Sequence, residues 1–205
     1  MENNNSKLKK LSVFRVPCSV FRNKGFTLIE MLVTTGIFII MTGVVLANYH
    51  SYAVNADFSN ASENIVLSLR EAQVYGAGGR RNAIACPHGN TAFDCEYGVY
   101  FNKTDSPYSY ILFVDLDGNE KFTSGEEYKT IPLGHNIKVS NLLCGDQPCT
   151  NGLNILFKRP AANAIMRDSS AGVLLYDTVS IIISNDTNTK SATTTLTSAG
   201  QISLK

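Results

Sequence analysis

The stretch NKGFTLIEMLV, residues 23–33, decides the fold of this chain because it opens a long apolar run that contains one acidic residue. From Phe26 to Tyr49 the only charged residue is Glu30. A helix that rises about 1.5 Å per residue spans about 36 Å over a run of this length, which is enough to cross the hydrocarbon core of a bilayer. The run therefore predicts a membrane-spanning helix over residues 26–49.

The charge of the segment before the apolar run differs from that of the rest of the chain. Residues 1–25 carry six Lys or Arg against one acid, whereas residues 26–205 carry twelve basic and sixteen acidic residues, a net charge of −4. A basic segment beside an apolar run stays on the cytoplasmic side of a membrane. We therefore expect a single pass, with the amino terminus in the cytoplasm and the carboxyl-terminal domain outside it.

Two ordinary interpretations of the apolar run remain open. One is an uncleaved single-span anchor that holds the rest of the chain at the membrane. The other is a cleaved secretory signal, with Val45-Leu46-Ala47 as its small-residue cleavage site. The run is longer than the apolar region of a usual signal, and it contains Glu30, so the second interpretation is the less favoured.

Glu30 needs a partner because a carboxylate inside hydrocarbon costs about 2.5 kcal/mol or more. No Lys or Arg lies one helical turn away from it within the run. Cleavage between Gly25 and Phe26 would create a new α-amino group that a neighbouring copy presents to Glu30. Such a buried ion pair would satisfy both groups and fix the axial register between helices.

The sequence KGFTLIEMLV resembles the signal of type IV pilins and of the pseudopilins of type II secretion. In that family a basic leader ends in Gly. The mature chain then begins with Phe, continues as an apolar helix and has a Glu at its fifth position. The resemblance implies that a prepilin peptidase cleaves after Gly25, that Phe26 is N-methylated and that Glu30 serves filament assembly. It also implies a bacterial inner-membrane location before assembly, with an assembly platform and other pilins or pseudopilins as partners.

Helical periodicity continues beyond the apolar run. Apolar residues recur every three or four positions at Phe58, Ala61, Ile65, Leu69 and Ala72. This spacing predicts one continuous helix whose second half, over residues 50–79, lays an apolar stripe on a soluble domain. We expect a glycine cluster to end the helix, namely Gly76, Gly78 and Gly79.

Residues 80–205 read as an extracytoplasmic β-rich domain. Short runs of β-branched and aromatic residues are separated by Gly, Asn, Asp and Pro, which is typical of strands and turns. The predicted strands are YGVYF, YILFV, YKTIPL, IKVSNLL, LNILF, VSIIIS, ATTTL and QISL, with a final hairpin that turns near Ser198-Ala199-Gly200. The predicted fold class is therefore α+β, in which a long N-terminal helix packs on an antiparallel sheet domain.

Three further segments are similar to the GspH/FimT group of minor pseudopilins. They are SENIVLSLREAQVYGAGGRRNAI, FVDLDGNEKFTSGEEYKTI and the ending SATTTLTSAGQISLK. This similarity implies a minor subunit of a type II secretion pseudopilus or a type IV pilus. It also admits a second function, because some FimT-like pilus tip subunits take part in DNA uptake.

Four cysteines lie in the predicted soluble domain, at Cys86, Cys95, Cys144 and Cys149. Four cysteines allow three pairings, and the pairing with short loops is 86 with 95 and 144 with 149. Disulfides normally form outside the cytoplasm. The alternatives are buried free thiols and a metal site that uses Cys86, His88 and Cys95, although Cys-Pro-His is not a usual zinc spacing.

The segment DLDGNEKFTSGE, residues 115–126, allows two interpretations. Its side-chain oxygens fall at calcium-ligand positions of an EF-hand at Asp115, Asp117, Asn119, Thr123 and Glu126. However, Gly118 occupies the fourth position whereas an EF-hand turn needs glycine at the sixth, and both flanks read as strands. A polar turn between strands is the favoured interpretation, and calcium is the alternative.

The sequence offers little support for catalysis or for nucleic-acid binding. It has no Gly-x-Ser-x-Gly, His-Glu-x-x-His or phosphate-binding glycine loop, so we expect no enzyme activity and no cofactor. Cations that would meet DNA phosphates are Arg80-Arg81, Lys158-Arg159 and Lys190. Backbone binding needs concentrated positive charge, and no basic cluster after residue 25 is longer than two residues. DNA binding is therefore kept only as an alternative.

Overall fold

The structure is a computed structural model that describes residues 25–80, 95–160, 163–170 and 175–205. The chain divides into two compact units, one that ends at Ala47 and one that runs from Asn48 to Lys205. The fold is α+β, as the sequence predicts, with one long N-terminal apolar helix and antiparallel sheets.

The helix α1 spans Leu28–Gly78 and begins two residues later than the predicted start at Phe26. The reason is a cap, since the hydroxyl of Thr27 accepts a hydrogen bond from the Glu30 N–H at 3.2 Å. At the other end Gly79 has a φ of 65°, and the Arg80 N–H donates to the Tyr75 carbonyl at 3.1 Å. This 6→1 bond across a left-handed glycine is the Schellman ending of a helix.

The prediction that Gly76 helps to end the helix is wrong. Gly76 lies inside α1 and is buried. A Cβ added there would fall 2.2 Å from the Phe157 carbonyl oxygen, so the absent side chain is what lets the helix approach the sheet. Gly79, whose φ is positive, is the residue whose backbone ends the helix.

The first sheet contains the strands β1 (Glu96–Asn102), β2 (Ser109–Asp115), β3 (Glu127–Pro132), β6 (Gly152–Phe157) and β7 (Ala164–Asp168). Their order is β3-β2-β1-β6-β7, and every described pairing is antiparallel. In the centre Tyr97 of β1 lies opposite Val114 of β2 on one side and Phe157 of β6 on the other. All residues of β6 are buried, as expected for a strand covered on both faces.

The second sheet contains β4 (Ile137–Cys144), β5 (Gln147–Pro148), β8 (Thr178–Asn185), β9 (Ser191–Thr197) and β10 (Ile202–Leu204). Its order is β10-β9-β8-β4-β5, again antiparallel. The final hairpin turns where the sequence places it. Gly200, with a φ of 79°, donates its N–H to the Thr197 carbonyl at 2.8 Å.

One hydrophobic core joins the helix to both sheets. The helix contributes Ala61, Ile65, Leu69 and Ala72, which are the predicted stripe apart from the partly buried Phe58. Tyr110 of β2 fastens the helix through its hydroxyl, which donates to the Asn64 carbonyl at 3.0 Å and lies 2.8 Å from the Ser68 hydroxyl. Burial raises the pKa of Tyr110 to about 12, so the phenol keeps its proton for these bonds.

Two strands were not predicted. β5 has only two residues, which is below the length at which alternation can be recognised. β7 has the sequence AIMRD, and its charged Arg167 and Asp168 hide the strand pattern. Both charged residues are held by polar partners in the structure, which is why the strand tolerates them.

Candidate functional site

The amino-terminal end of α1 carries the predicted processing and assembly residues. Gly25 is exposed, and a Cβ built on it meets nothing within 4 Å. Phe26 is 76% exposed. The Gly25–Phe26 bond therefore precedes the first helical turn and is exposed.

Glu30 lies in the first turn of α1 with an exposed side chain. It stands three residues after Thr27, the spacing of a capping box, in which a Thr hydroxyl and a Glu carboxylate serve the first turn together. A carboxylate at this position is also favoured by the positive end of the helix dipole. Sequence reasoning missed Thr27, although Thr-x-x-Glu before an apolar run is a recognisable signal.

The apolar run is exposed along its whole length up to Leu46, apart from one partly covered glycine. Its threonines satisfy their hydroxyls within the helix, as the sequence analysis expects. Thr35 donates to the Met31 carbonyl at 2.8 Å and Thr42 to the Phe38 carbonyl at 2.8 Å. By length and composition α1 is able to cross a membrane. Contiguous apolar surface of this extent requires lipid or other helices to cover it.

The segment DLDGNEKFTSGE, for which calcium is the alternative interpretation, forms the connection between β2 and β3. Oxygens of Asp115, Asp117 and Glu126 all lie within 4.8 Å of one another, so the three carboxylates have the spacing to hold a cation. Burial raises the pKa of Asp115 above its usual range, and the neighbouring Asp117 adds to this effect. Thr123 joins the group, since its hydroxyl donates to Asp117 at 3.2 Å.

The same carboxylates already accept hydrogen bonds from the loop itself. Glu126 accepts the N–H groups of Leu116 at 2.7 Å and Thr123 at 2.7 Å. Asp115 accepts those of Gly118 at 2.6 Å and Glu120 at 2.9 Å. These bonds satisfy the N–H groups of the loop that connects β2 and β3. Calcium binding stays the alternative.

The cysteines of the β-rich domain are buried where the structure describes them. Cys144 and Cys149 form a disulfide with Cα atoms 5.2 Å apart, which closes the β4–β5 hairpin. Cys95 is also disulfide-bonded, and its predicted partner Cys86 lies outside the described residues, as does His88. Disulfide-bonded sulfurs offer no thiolate to a metal.

Among the described cations considered for DNA binding, Arg159 has its guanidinium against Gly79, next in the chain to Arg80, whereas Lys158 is held by acidic partners. Lys158 pairs with Glu96 at 3.6 Å and with Glu120 at 3.2 Å, and Glu120 also pairs with Arg167. Although burial opposes it, these two cations hold the pKa of Glu120 below its usual range.

Arg80 makes a cation–π contact with two tyrosine rings. Its guanidinium lies 4.0 Å from the centre of the Tyr75 ring and 5.3 Å from that of Tyr128. Lys190 lines a different surface, a cavity of about 370 Å³ beside Asp57 and Asp186. Asp57 lies 21 residues before the end of α1 at Gly78, which is about 32 Å along the axis, so the Lys190 cavity and Arg80 lie near opposite ends of this part of the helix. Arg81 lies outside the described residues.

Comparison with known families adds one match. Residues 21–46 match the prokaryotic N-terminal methylation motif, which is the type IV pilin-like signal. The matched segment contains Gly25, Phe26, Thr27 and Glu30 together with most of the exposed apolar run. No curated protein and no solved structure matches the chain. The chain thus carries a type IV pilin-like N-terminal motif on a membrane-capable helix.

Proposed function

We propose that this chain is a minor pilin or pseudopilin subunit, processed by a prepilin peptidase and assembled through α1 into a type II secretion pseudopilus or a type IV pilus. The observation that carries the proposal is the match to the methylation motif at residues 21–46, whose Gly25 and Phe26 are exposed just before α1. The exposed apolar surface of α1 supports it, because such a surface needs lipid before assembly and neighbouring helices afterwards.

Glu30 has a definite part in this proposal. The N-methylated amino group of Phe26 in one subunit pairs with the Glu30 carboxylate of the next, which offsets the cost of burying both charges. The capping position orients Glu30 at the start of α1, close in sequence to the terminus that cleavage creates. The role is structural rather than catalytic, and the carboxylates of the β domain serve its own loops.

The GspH/FimT assignment refines the proposal to a minor subunit. It is supported by the segments that flank the helix end, by the β2–β3 loop and by the final hairpin. DNA uptake is the second candidate within the same group, but the paired state of Lys158 and the distance between Arg80 and Lys190 do not favour it.

Intact mass and amino-terminal sequencing of the chain from its native membrane test the proposal. We expect a chain that begins at N-methylated Phe26. A Gly25→Leu variant should retain residues 1–25, whereas the control Gly36→Ala, whose added Cβ also meets nothing within 4 Å, should be processed normally. A native chain that begins near Asn48 would indicate a secreted domain, and one that keeps residues 1–25 would indicate a static anchor.

A further inference from the structure

The second unit contains a cavity of about 370 Å³ between α1 and two turns of the second sheet, one before β4 and one between β8 and β9. Its volume is within the range of about 300–1,000 Å³ that is usual for ligand pockets. The helix lines it with the apolar side chains of Ala53, Val54 and Phe58. The two turns line it with polar residues, which include Asn136 and Thr187. The cavity therefore suits a ligand that has both apolar and polar parts.

Two opposite charges line this cavity without pairing. Asp57 of α1 and Lys190 of the β8–β9 turn both belong to its lining. Within the described part of the chain, the side chain of neither residue forms an ion pair or a hydrogen bond. The other acid of the lining, Asp186, is already held by Lys138 at 3.9 Å and by the Tyr108 hydroxyl at 3.3 Å. One carboxylate and one ammonium therefore remain for a ligand that carries both charges.

The balance of charge favours a zwitterion over an anion. Two acidic and two basic residues lie at the cavity, namely Asp57, Asp186, Lys138 and Lys190, so their net charge is zero. Anionic headgroups are recognised by clusters of Lys and Arg, and such an excess of cations is missing among these residues. A ligand with one ammonium and one phosphate can form a charge-assisted hydrogen bond with each free charge. His135, which also lines the cavity, offers a ring N–H to the same phosphate.

The cavity begins close to the end of the apolar run. Ala53 lies four residues after Tyr49, which is about 6 Å along the helix axis. The headgroup layer of a bilayer is about 5–8 Å thick on each side of the hydrocarbon core. Tyr49 and Tyr52 are exposed, and tyrosines at the end of a membrane span lie at the level of the headgroups. Residues 53–58 are therefore within reach of lipid headgroups when α1 spans a membrane.

We propose that the cavity lined by Asp57, His135 and Lys190 binds the headgroup of phosphatidylethanolamine, a zwitterionic phospholipid with a primary ammonium. The ammonium donates to the Asp57 carboxylate, and the phosphate accepts from Lys190 and His135. Val54 and Phe58 pack against the carbon atoms of the headgroup. A bound headgroup fixes the depth of this part of α1 in the bilayer. The inference rests on the insertion of α1 in a membrane, which is part of the proposed function.

Native mass spectrometry of the chain purified from its native membrane in detergent tests the specificity. The probes are phosphatidylethanolamine, phosphatidylcholine and phosphatidylglycerol with the same acyl chains and at the same concentration. We expect several-fold more phosphatidylethanolamine to be retained, because a choline group has no N–H for Asp57 and phosphatidylglycerol has no cation. Equal retention of the three lipids would overturn the inference, since the apolar run of α1 would then account for the bound lipid.

Variants that remove one charge locate the site. Asp57→Asn and Lys190→Gln should each reduce the retained phosphatidylethanolamine several-fold and leave the retention of phosphatidylcholine unchanged. The matched controls are Asp146→Asn and Lys129→Gln, which remove exposed charges outside the cavity and should retain the lipid as the parent chain does. Retention by the two cavity variants at the level of the parent chain would overturn the inference.

A variant that fills the cavity tests the same site without changing a charge. Val54→Trp places a large ring in the cavity, so the retained phosphatidylethanolamine should fall several-fold. Val74→Trp makes the same change at an exposed valine of α1 outside the cavity and should have no effect. The melting temperatures of both variants should stay near that of the parent chain. Full retention by a folded Val54→Trp variant would overturn the inference.

Soluble phosphoethanolamine distinguishes a lipid from a free zwitterion. It carries the same two charges without acyl chains, so we expect it to bind at least tenfold more weakly than the lipid. Binding as tight as that of the lipid would assign the cavity to a soluble ligand and overturn the inference.

The mass of the same sample separates this inference from the proposed function, because cleavage after Gly25 does not depend on the cavity. A chain that begins at Phe26 and shows no lipid preference overturns the inference and leaves the proposed function standing. A membrane-bound chain that keeps residues 1–25 and prefers phosphatidylethanolamine supports the inference and overturns the proposed processing. A native chain that begins near Asn48 overturns both.

Discussion

Gly76 of α1 lies directly against the backbone carbonyl of Phe157 in β6. A Cβ at position 76 would fall 2.2 Å from that oxygen and 2.7 Å from the carbonyl carbon. Both atoms belong to main chain, which cannot rotate aside as a flexible side chain does. The helix and the first sheet therefore approach each other at a distance that only glycine permits.

Gly76→Ala should destabilise the second unit by at least about 2 kcal/mol, because the helix must move off β6 to make room for the methyl group. The matched control is Gly78→Ala, where an added Cβ meets nothing within 4 Å. We expect the control to change the free energy of unfolding by less than about 1 kcal/mol. Urea unfolding of the full chain in detergent measures both, and equal effects would contradict the close approach.

The loop between β2 and β3 should depend on Glu126 without any cation. Glu126→Ala removes the acceptor of three backbone N–H groups, those of Leu116, Asp117 and Thr123. In EDTA we expect a loss of about 1–3 kcal/mol, the cost of leaving such donors unsatisfied. Glu127→Ala is the control, since Glu127 is exposed. A wild-type melting temperature that rises with added calcium would instead support the cation interpretation.

The disulfide of the β4–β5 hairpin should contribute measurably to stability. Replacing Cys144 and Cys149 by Ser opens a loop whose closure is worth about 2 kcal/mol in the chain-entropy account. The melting temperature of the double variant should fall accordingly. Substituting the exposed Asp146 and Gln147 by Ser in the same hairpin should leave it unchanged. An equal loss in both variants would assign the effect to the turn and not to the bond.

The sequence predicts the parts of the fold whose signals are periodic. The stripe from Ala61 to Ala72 is buried as expected, and the eight predicted strand segments are all strands. The strand β7 is missed because Arg167 and Asp168 break its pattern, and their partners lie 47 and 18 residues away in the chain. Such long-range compensation is invisible to a local pattern.

The features of α1 also divide into those that a local sequence motif predicts and those that only the packing of the helix reveals. Gly25, Phe26 and Glu30 belong to one short motif, so sequence alone predicts them as a group, and the family match covers the same residues. The exposure of the remaining apolar residues in the second half of α1 is not predictable in this manner. Leu67 and Val74 are apolar residues of an amphipathic helix, and only the packing of α1 shows that they face outward while Ile65 and Leu69 face the core.

Asp168 should make the stability of the second unit depend on pH. Although burial opposes it, the N–H groups of Thr150 at 2.5 Å and Ser170 at 2.9 Å hold the pKa of Asp168 below its usual range. A carboxyl whose pKa is lower in the folded state stabilises the fold above its unfolded pKa of about 3.9. That contribution is lost as the pH falls through the folded pKa.

Asp168→Asn should therefore lower the free energy of unfolding at pH 7 and flatten its fall below about pH 4. Unfolding in urea at a series of pH values measures both effects. Asp146→Asn is the control, because Asp146 is exposed in the β4–β5 turn. If the free energy of unfolding of Asp168→Asn falls below pH 4 as steeply as that of the wild type, other carboxyl groups cause the pH dependence of stability.

Glu30→Gln should separate two roles of Glu30, namely support of the helix start and pairing with the amino terminus of a neighbouring subunit. The Thr27 hydroxyl accepts the Glu30 N–H, a bond that the substitution leaves intact, and glutamine also suits the third position of a capping box. We therefore expect normal insertion and cleavage after Gly25, read by mass. Filament formation, read by electron microscopy and by the sheared fraction, should fall sharply because an amide cannot neutralise the Phe26 amino group of a neighbour. Filaments as abundant as in the wild type would show that Glu30 serves the helix start alone.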